Sequence, residues 1–219
     1  MTGFLPEPTR EFLALAGPEP DETQTAMQDY AEEHSFPIIG PTVGGLLASL
    51  AQLTGARRVF EFGSGFGYSA SWFARGMGPE GQVVLTEIDA EELELAREYL
   101  GDDRYPPAFR YEEGDAVEIV ESADGPFDVV LIDHQKHRYV EGFEGVRDKV
   151  APGGAVIADN MMRGPLEFDD VLAGLRGDEP SDRKTHGVVE YMQHLHADPA
   201  FESVVLPVGS GVALGTRRR

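Results

Sequence analysis

No cysteine occurs in the 219 residues. That excludes disulfides, iron–sulfur clusters, zinc–thiolate sites and cysteine nucleophiles together. Lysine is scarce as well: Lys136, Lys149 and Lys184 are the whole set. Lys and Arg number 18 against 39 Asp and Glu, a formal net charge of −21. A surface that tracks phosphates clusters Lys and Arg, so nucleic acid is not an expected partner. The acid excess reads as solubility or, with so little lysine, as adaptation to a halophilic cytoplasm. No apolar run reaches the roughly 20 residues of a membrane span. The opening segment, MTGFLPEPTREF, lacks a basic region followed by an apolar core, so no signal peptide is expected and the expected location is cytoplasmic. No repeat, low-complexity tract or long linker is present.

What is there is one chain long enough for a sizeable core, organised as alternating strands and helices. TREFLALAG and DETQTAMQDYAEEH read as short helices among prolines. TVGGLLASLAQLTG carries Leu46, Leu47, Leu50 and Leu53 at helical spacing, with Gly55 as its stop. RVFEF (58–62), QVVLTEI (82–88), FRYEEG, FDVVLID and AVIADN read as strands, and PGG turns the chain into the last of them. Between them lie the helices GYSASWFARGM, DAEELELAREYLG, AVEIVES and RYVEGFEGVRDKV. The second of these carries Asp89 as N-cap, Glu92 completing a capping box, and Gly101 at its end. A helical stretch around Phe168 to Leu175, a charged segment RGDEPSDRKTHG, a helix VVEYMQHLHAD and a hairpin, FESVVLPV-GSG-VALGTRR, finish the chain. This alternation predicts a mostly parallel sheet with helices on both faces and an added antiparallel strand. Ligands of such sheets sit beyond the carboxyl ends of the strands. EFGSGFG, TEID, EEGDA, IDHQKHRY and IADN are all such ends.

Three features of that rim carry chemistry. Gly63, Gly65 and Gly67 make a glycine-rich turn, but a dinucleotide fingerprint needs glycine where Tyr68 stands. Glu87 ends the second strand, where a carboxylate accepts from ribose hydroxyls. Glu61, just before the glycine loop, makes pyrophosphate unattractive there, and a cofactor with a sulfonium and an amino acid end fits better. Asp133, Asp159 and Asn160 close adjacent predicted strands, and three oxygen donors suit a hard ion such as Mg²⁺. Taken singly, IDH also reads as a helix cap and ADN as a turn. For a general base the residues leave Lys136, His134 and His137 open. Near a cation and a sulfonium a lysine's charged form is disfavoured, which suits that role. Zinc on the two histidines lacks a third soft ligand.

With those residues in view, IDHQKHRYVEGFEGVRDKVAPGGAVIADN resembles the metal-binding core of the catechol O-methyltransferase-like family. The resemblance takes in FPIIGPTVGGLLASLAQLTGARRVFEFGSGFGYSA, VVLTEID and SVVLPVGSGVALGTRR, and covers roughly residues 36 to 219. It implies an α/β fold of the Rossmann-like class I methyltransferase kind: a seven-stranded, mostly parallel sheet with a C-terminal antiparallel hairpin and helices on both faces. It implies an N-terminal helical segment (1–40) before the methyltransferase domain (41–219). It implies S-adenosylmethionine and a divalent cation, with Asp133, Asp159 and Asn160 as ligands and Lys136 as the base that takes the acceptor's proton. For the cofactor it implies Val43, Glu61, Gly63, Tyr68 and Ser69 around the methionine moiety, Glu87 at the ribose, and Ile88, Asp115, Ala116 and His134 at the adenine, with Asp133 shared.

The acceptor pocket departs from the animal catechol enzymes. Ile39, Gln135 and the Arg163–Gly164 region stand where those have tryptophans and a proline. That implies a wider, more polar pocket for a hydroxylated aromatic small molecule, with Arg163 facing an anionic acceptor. Glu190 is a candidate acceptor-binding carboxylate. A homodimer is expected, since relatives often form one. The competing readings are methylation of a tRNA base hydroxyl, a non-catalytic S-adenosylmethionine-binding module, and a nicotinamide-dependent dehydrogenase, which Tyr68 opposes.

Overall fold

The computed structural model describes residues 5–101, 104–164 and 166–219; Met1–Phe4 of the opening segment fall outside it. Seven strands form one sheet: β1 Arg58–Phe62, β2 Gln82–Glu87, β3 Ala108–Glu113, β4 Phe127–Ile132, β5 Val150–Ala158, β6 Phe201–Leu206 and β7 Val212–Arg217. Their spatial order is β3-β2-β1-β4-β5-β7-β6. The first five run parallel, and β7 is antiparallel to both β5 and β6. This is the sheet the alternation predicts.

Successive strand residues face opposite sides, and both sides are buried. Phe60, Phe62, Val130, Ile132, Val156 and Ala158 enter one core with α6 (Ala116–Ser122), α7 (Tyr139–Val146) and α9 (Arg183–Ala197). Val59, Val83, Leu85, Val129, Leu131 and Ile157 enter the other. That second core is closed by α2 (Glu22–His34), α3 (Gly40–Thr54), α4 (Tyr68–Gly76) and α5 (Ala90–Leu100). The chain reverses direction across the sheet between β1 and β4, and such a switch point opens a crevice at the strand ends.

Several local readings change in three dimensions. Gly55 ends α3 in the left-handed conformation (φ 62°), but Leu53 is 82% exposed and only Leu47 of the leucine set is fully buried. Asp89 caps α5 by accepting from the Glu91 and Glu92 amides, yet the capping box is not closed: Glu92 Oε2 is buried without a hydrogen-bond partner. Gly101 ends that helix in an extended conformation rather than a left-handed one. The PGG segment does not precede the last parallel strand; β5 begins at Val150 and runs through it. The ladder absorbs the glycines as a register shift opposite Phe127 to Val129, with Gly153 at φ 82°. A bulge of this kind lets a strand continue past residues that alone would read as a turn. The charged segment before α9 is partly helix, since Asp182 caps the helix by accepting from Lys184 and Thr185. Finally, α1 (Glu7–Ala16) leaves Phe12 and Leu15 exposed, whereas α2 buries Met27 and Ala31 in the core.

Candidate active site

Beyond the ends of β1, β2, β4 and β5 lies a cavity of about 580 Å³. The glycine loop forms its floor. Gly63, Gly65 and Gly67 all take positive φ (77°, 50° and 85°), a region costly for side chains. Gly63 also has no room: a Cβ there would lie 3.0 Å from the His134 Cα and 3.1 Å from the Asp133 carbonyl. The loop after β1 thus presses against the loop after β4, and only glycine permits it.

Glu87 ends β2 with its carboxylate held by main-chain amides. Oε2 accepts from Gly65 N at 2.9 Å, and Oε1 accepts from Ile88 N at 2.8 Å and Asp89 N at 3.2 Å. These bonds fix its orientation at the cavity wall, beside an Ile88 side chain that is 59% exposed. Asp115 caps α6 through Val117 N and pairs with Arg138 at 2.5 Å, and that guanidinium holds its carboxyl below the usual range. Asp115 and Ala116 both line the cavity.

Period two places Glu61 on the face of β1 opposite Phe60 and Phe62, under α4. Its carboxylate is fully buried, and neither oxygen has a hydrogen bond of regular geometry. Burial pushes its carboxyl up to about 7, partly offset by the nearby Ser69 and Ser64 hydroxyls, while Asp133 adds to the rise. Glu61 therefore lies beneath the cavity wall that Ser64 and Ser69 form, and Val43 is a fully buried core residue behind it; neither lines the cavity. Tyr68 does, and its hydroxyl accepts from Gln28 Nε2 at 2.7 Å, which fastens α2 over the site.

At the other end, Asp133, His134, Gln135, Lys136, Asp159 and Asn160 share the same cavity. Lys136 Nζ donates to Asp133 Oδ1 at 2.5 Å. Burial, then the neighbouring Asp133, pushes the Asp159 carboxyl up to about 7, and its Oδ1 is buried without a partner. Asn160 turns the chain with φ 65°, which asparagine tolerates better than most residues. Among the described residues, no cluster of three or more His, Asp or Glu is placed to hold a metal ion. A cation here would rest on two carboxylates, the Asn160 amide and oxygens from outside the protein. An orphaned buried Asp159 oxygen beside a second carboxylate fits such an ion.

Both His134 ring nitrogens are buried without a hydrogen bond of regular geometry, and burial, then Lys136 and Arg138, pushes its imidazole down to about 4. His137 is exposed and outside the cavity. Glu190 points to solvent on α9 beside His186, and Arg163 is not in the cavity wall, whereas Ile39, Gln135 and Gly164 are.

Several contributors carry no motif. Phe36, Pro37 and Ile38 cover the cavity from the chain between α2 and α3. Ser210 enters from the β6–β7 turn, whose carbonyl accepts from Met162 N and Arg163 N. The signal for that docking was the GSG turn itself, but nothing local says where a turn lands. Gly187 of α9 is buried against the Lys136 turn, and a Cβ there would lie 2.5 Å from both the His137 Cα and the Lys136 carbonyl. Gly187→Ala is expected to lose about 2 kcal/mol, because clash with rigid backbone (~3 kcal/mol) exceeds the ~1 kcal/mol helix gain. Thermal melting with turnover assays would check this, and an unchanged melting temperature would refute it.

Comparison with known proteins agrees with this geometry. Residues 23–218 match the O-methyltransferase family. The chain belongs to that family. It is an S-adenosylmethionine-dependent O-methyltransferase of the catechol O-methyltransferase-like kind. A catechol O-methyltransferase of Niastella koreensis is 29% identical over 197 residues, 88% of this chain and 86% of that protein. The O-methyltransferase TomG of Streptomyces achromogenes, solved with SAM, is 26% identical with a TM-score of 0.80, covering 98% of this chain and all of that one. An O-methyltransferase from Bacillus cereus, solved with SAH, shares the fold with a TM-score of 0.83 at 24% identity, covering 96% of this chain and 97% of that one.

Proposed function

We propose that this enzyme methylates one hydroxyl of a catechol-like or other vicinal-diol small molecule, with a divalent cation, by preference Mg²⁺, at Asp133, Asp159 and Asn160. One observation carries the reading. The paired Asp133 and Lys136, the orphaned Asp159 oxygen and Asn160 line the same cavity as the glycine loop and Glu87. Donor and acceptor ends of a methyl transfer are thereby within one enclosure.

In this reading S-adenosylmethionine supplies an electrophilic methyl group, and the cation supplies Lewis acidity toward the attacked hydroxyl. Glu87 receives the ribose hydroxyls, at the expense of one of its main-chain bonds. Ile88, Ala116, Asp115 and His134 border the adenine. Gly63, Tyr68 and Ser69 form the wall around the methionine end, backed by Val43 and by Glu61, whose buried charge acts on the ammonium through the Ser64–Ser69 wall. Lys136, once deprotonated, accepts the hydroxyl proton at Nζ. Phe36 to Ile39 exclude water above, and holding both reactants removes much of the entropic barrier. Gln135, Ile39, Gly164 and Ser210 border the acceptor. Similarity to a catechol O-methyltransferase supports the acceptor class.

Calorimetric titration with S-adenosylhomocysteine in Mg²⁺ and in EDTA, then a methyl-transfer assay on catechol, tests the proposal. The expected result is transfer in Mg²⁺ and none in EDTA. Equal rates in both would sink the cation assignment, and transfer to bulk tRNA but not to catechol would sink the acceptor class.

A further inference from the structure

We propose that Tyr139 is the positioning residue of the cation subsite, an inference that rests on the reading of Asp133, Asp159 and Asn160 as its ligands. Tyr139 opens α7 and is fully buried. Its hydroxyl lies 3.2 Å from Asp133 Oδ1 and 3.3 Å from the main-chain oxygen of Asp159. Those two acceptors stand past the ends of different strands, β4 and β5. A phenol carries one proton, so the hydroxyl donates to one acceptor at a time. It thereby ties two strand ends at one spacing while remaining free to favour either.

The ring makes further contacts with the same group. Lys136 Nζ stands 5.2 Å from its centroid, within cation–π range. The His134 imidazole stacks on it at 5.5 Å and 23°. One side chain therefore touches Asp133, Lys136, His134 and the Asp159 main chain.

Asp133 Oδ1 receives both the Lys136 ammonium and the Tyr139 hydroxyl. A divalent ion at that oxygen and the ammonium exclude each other as like charges, whereas the hydroxyl is a neutral donor and is compatible with the ion. With the ion in place, Tyr139 is the group left to aim the Asp133 carboxylate, and its ring face is the rest for a displaced Lys136. Hydrogen-bond partners behind metal ligands typically set about 10–100-fold of metal affinity.

Tyr191 provides an internal control. It is equally buried, packs edge-on against Tyr139 at 5.7 Å, and its hydroxyl has no hydrogen-bond partner among the described residues. The experiment is Mg²⁺ titration of wild type, Tyr139→Phe and Tyr191→Phe in saturating S-adenosylhomocysteine, with cofactor affinity and melting temperature measured on the same samples. Tyr139→Phe is expected to weaken Mg²⁺ binding about 10-fold or more with unchanged S-adenosylhomocysteine affinity, and Tyr191→Phe to change neither. Equal Mg²⁺ affinity in wild type and Tyr139→Phe, or an equal loss in both variants, overturns the positioning role and leaves the cation subsite standing. A wild type that binds no divalent cation overturns the subsite and this inference with it. Should Tyr139→Phe not fold, ¹⁹F spectra of 3-fluorotyrosine-labelled Tyr191→Phe protein test the same contact. A buried resonance is expected to move on Mg²⁺ addition, and a spectrum that does not change overturns the role.

Discussion

Lys136→Ala is expected to slow methyl transfer by about 10²–10⁴-fold while S-adenosylhomocysteine affinity stays near wild type. Lys136 reaches the cavity with its ammonium on Asp133 Oδ1. The other candidate base at the cavity, the His134 imidazole, has its nitrogens buried, and burial keeps it neutral. In the proposed reaction Lys136, after giving its own proton to solvent, is the free amine nearest a hydroxyl held at Asp133 and Asp159 and takes the proton that leaves it. The same geometry separates chemistry from binding. The ammonium competes with any cation for the Asp133 oxygen, so the alanine variant is expected to bind Mg²⁺ at least as tightly as wild type while turning over slowly. Single-turnover rates with parallel Mg²⁺ and cofactor titrations would show this. Wild-type turnover in Lys136→Ala would remove the lysine from the mechanism. Joint loss of turnover and cation affinity would make it a structural support.

Glu61→Gln is expected to raise the stability of the cofactor-free protein at alkaline pH and to weaken cofactor binding. Burial raises this carboxyl from 4.5 to about 7. Between those values the folded state keeps a proton that the unfolded chain has lost, so stability falls as pH rises through the window. The penalty is absent below about pH 4 and complete above about pH 8, where a shift of this size amounts to about 3 kcal/mol. Glutamine is neutral throughout and keeps the shape. Denaturation of both proteins from about pH 4 to about pH 8 should give curves that converge at the acid end and separate by up to about 3 kcal/mol at the alkaline end, variant above wild type. Asp159 is also raised, but it is common to both proteins and cancels in the difference. A variant less stable than wild type at pH 8 would mean that the carboxylate has a partner. Loss of that charge, acting on the cofactor's ammonium through the Ser64–Ser69 wall, should weaken S-adenosylhomocysteine about 10-fold, the scale of a unit charge several ångströms away at an effective dielectric of about 20. Unchanged affinity would show that the Glu61 charge exerts no pull on the cofactor's ammonium.

Much of the site is legible in the sequence, and the reason is local. Glu87, Asp133, Asp159 and Asn160 each stand at the close of an apolar run, and the strands of an α/β sheet deliver the residues at their carboxyl ends to one rim. The glycine triplet marks backbone that must turn with positive φ. Periodicity does not reveal contacts made at long range. Gly187 reads as the end of a charged segment until α9 is laid on the Lys136 turn. Tyr139 reads as an amphipathic helix start until β4 and β5 become neighbours and their ends meet at its hydroxyl. The glycines of β5 read as a turn because a bulge depends on the partner strand, which the segment itself does not contain.

By itself, the sequence determined the succession of strands and helices and which polar residues would stand at strand ends, because both depend on spacing within a few residues. The tertiary structure alone decided that β1 lies between β2 and β4, and so which strand ends share a cavity. It also decided that Glu61, one residue from the end of β1, is sealed beneath that cavity rather than lining it. Strand order and burial depend on packing between segments distant in the chain, and pairing partners and desolvation are properties of that packing rather than of any short stretch of residues.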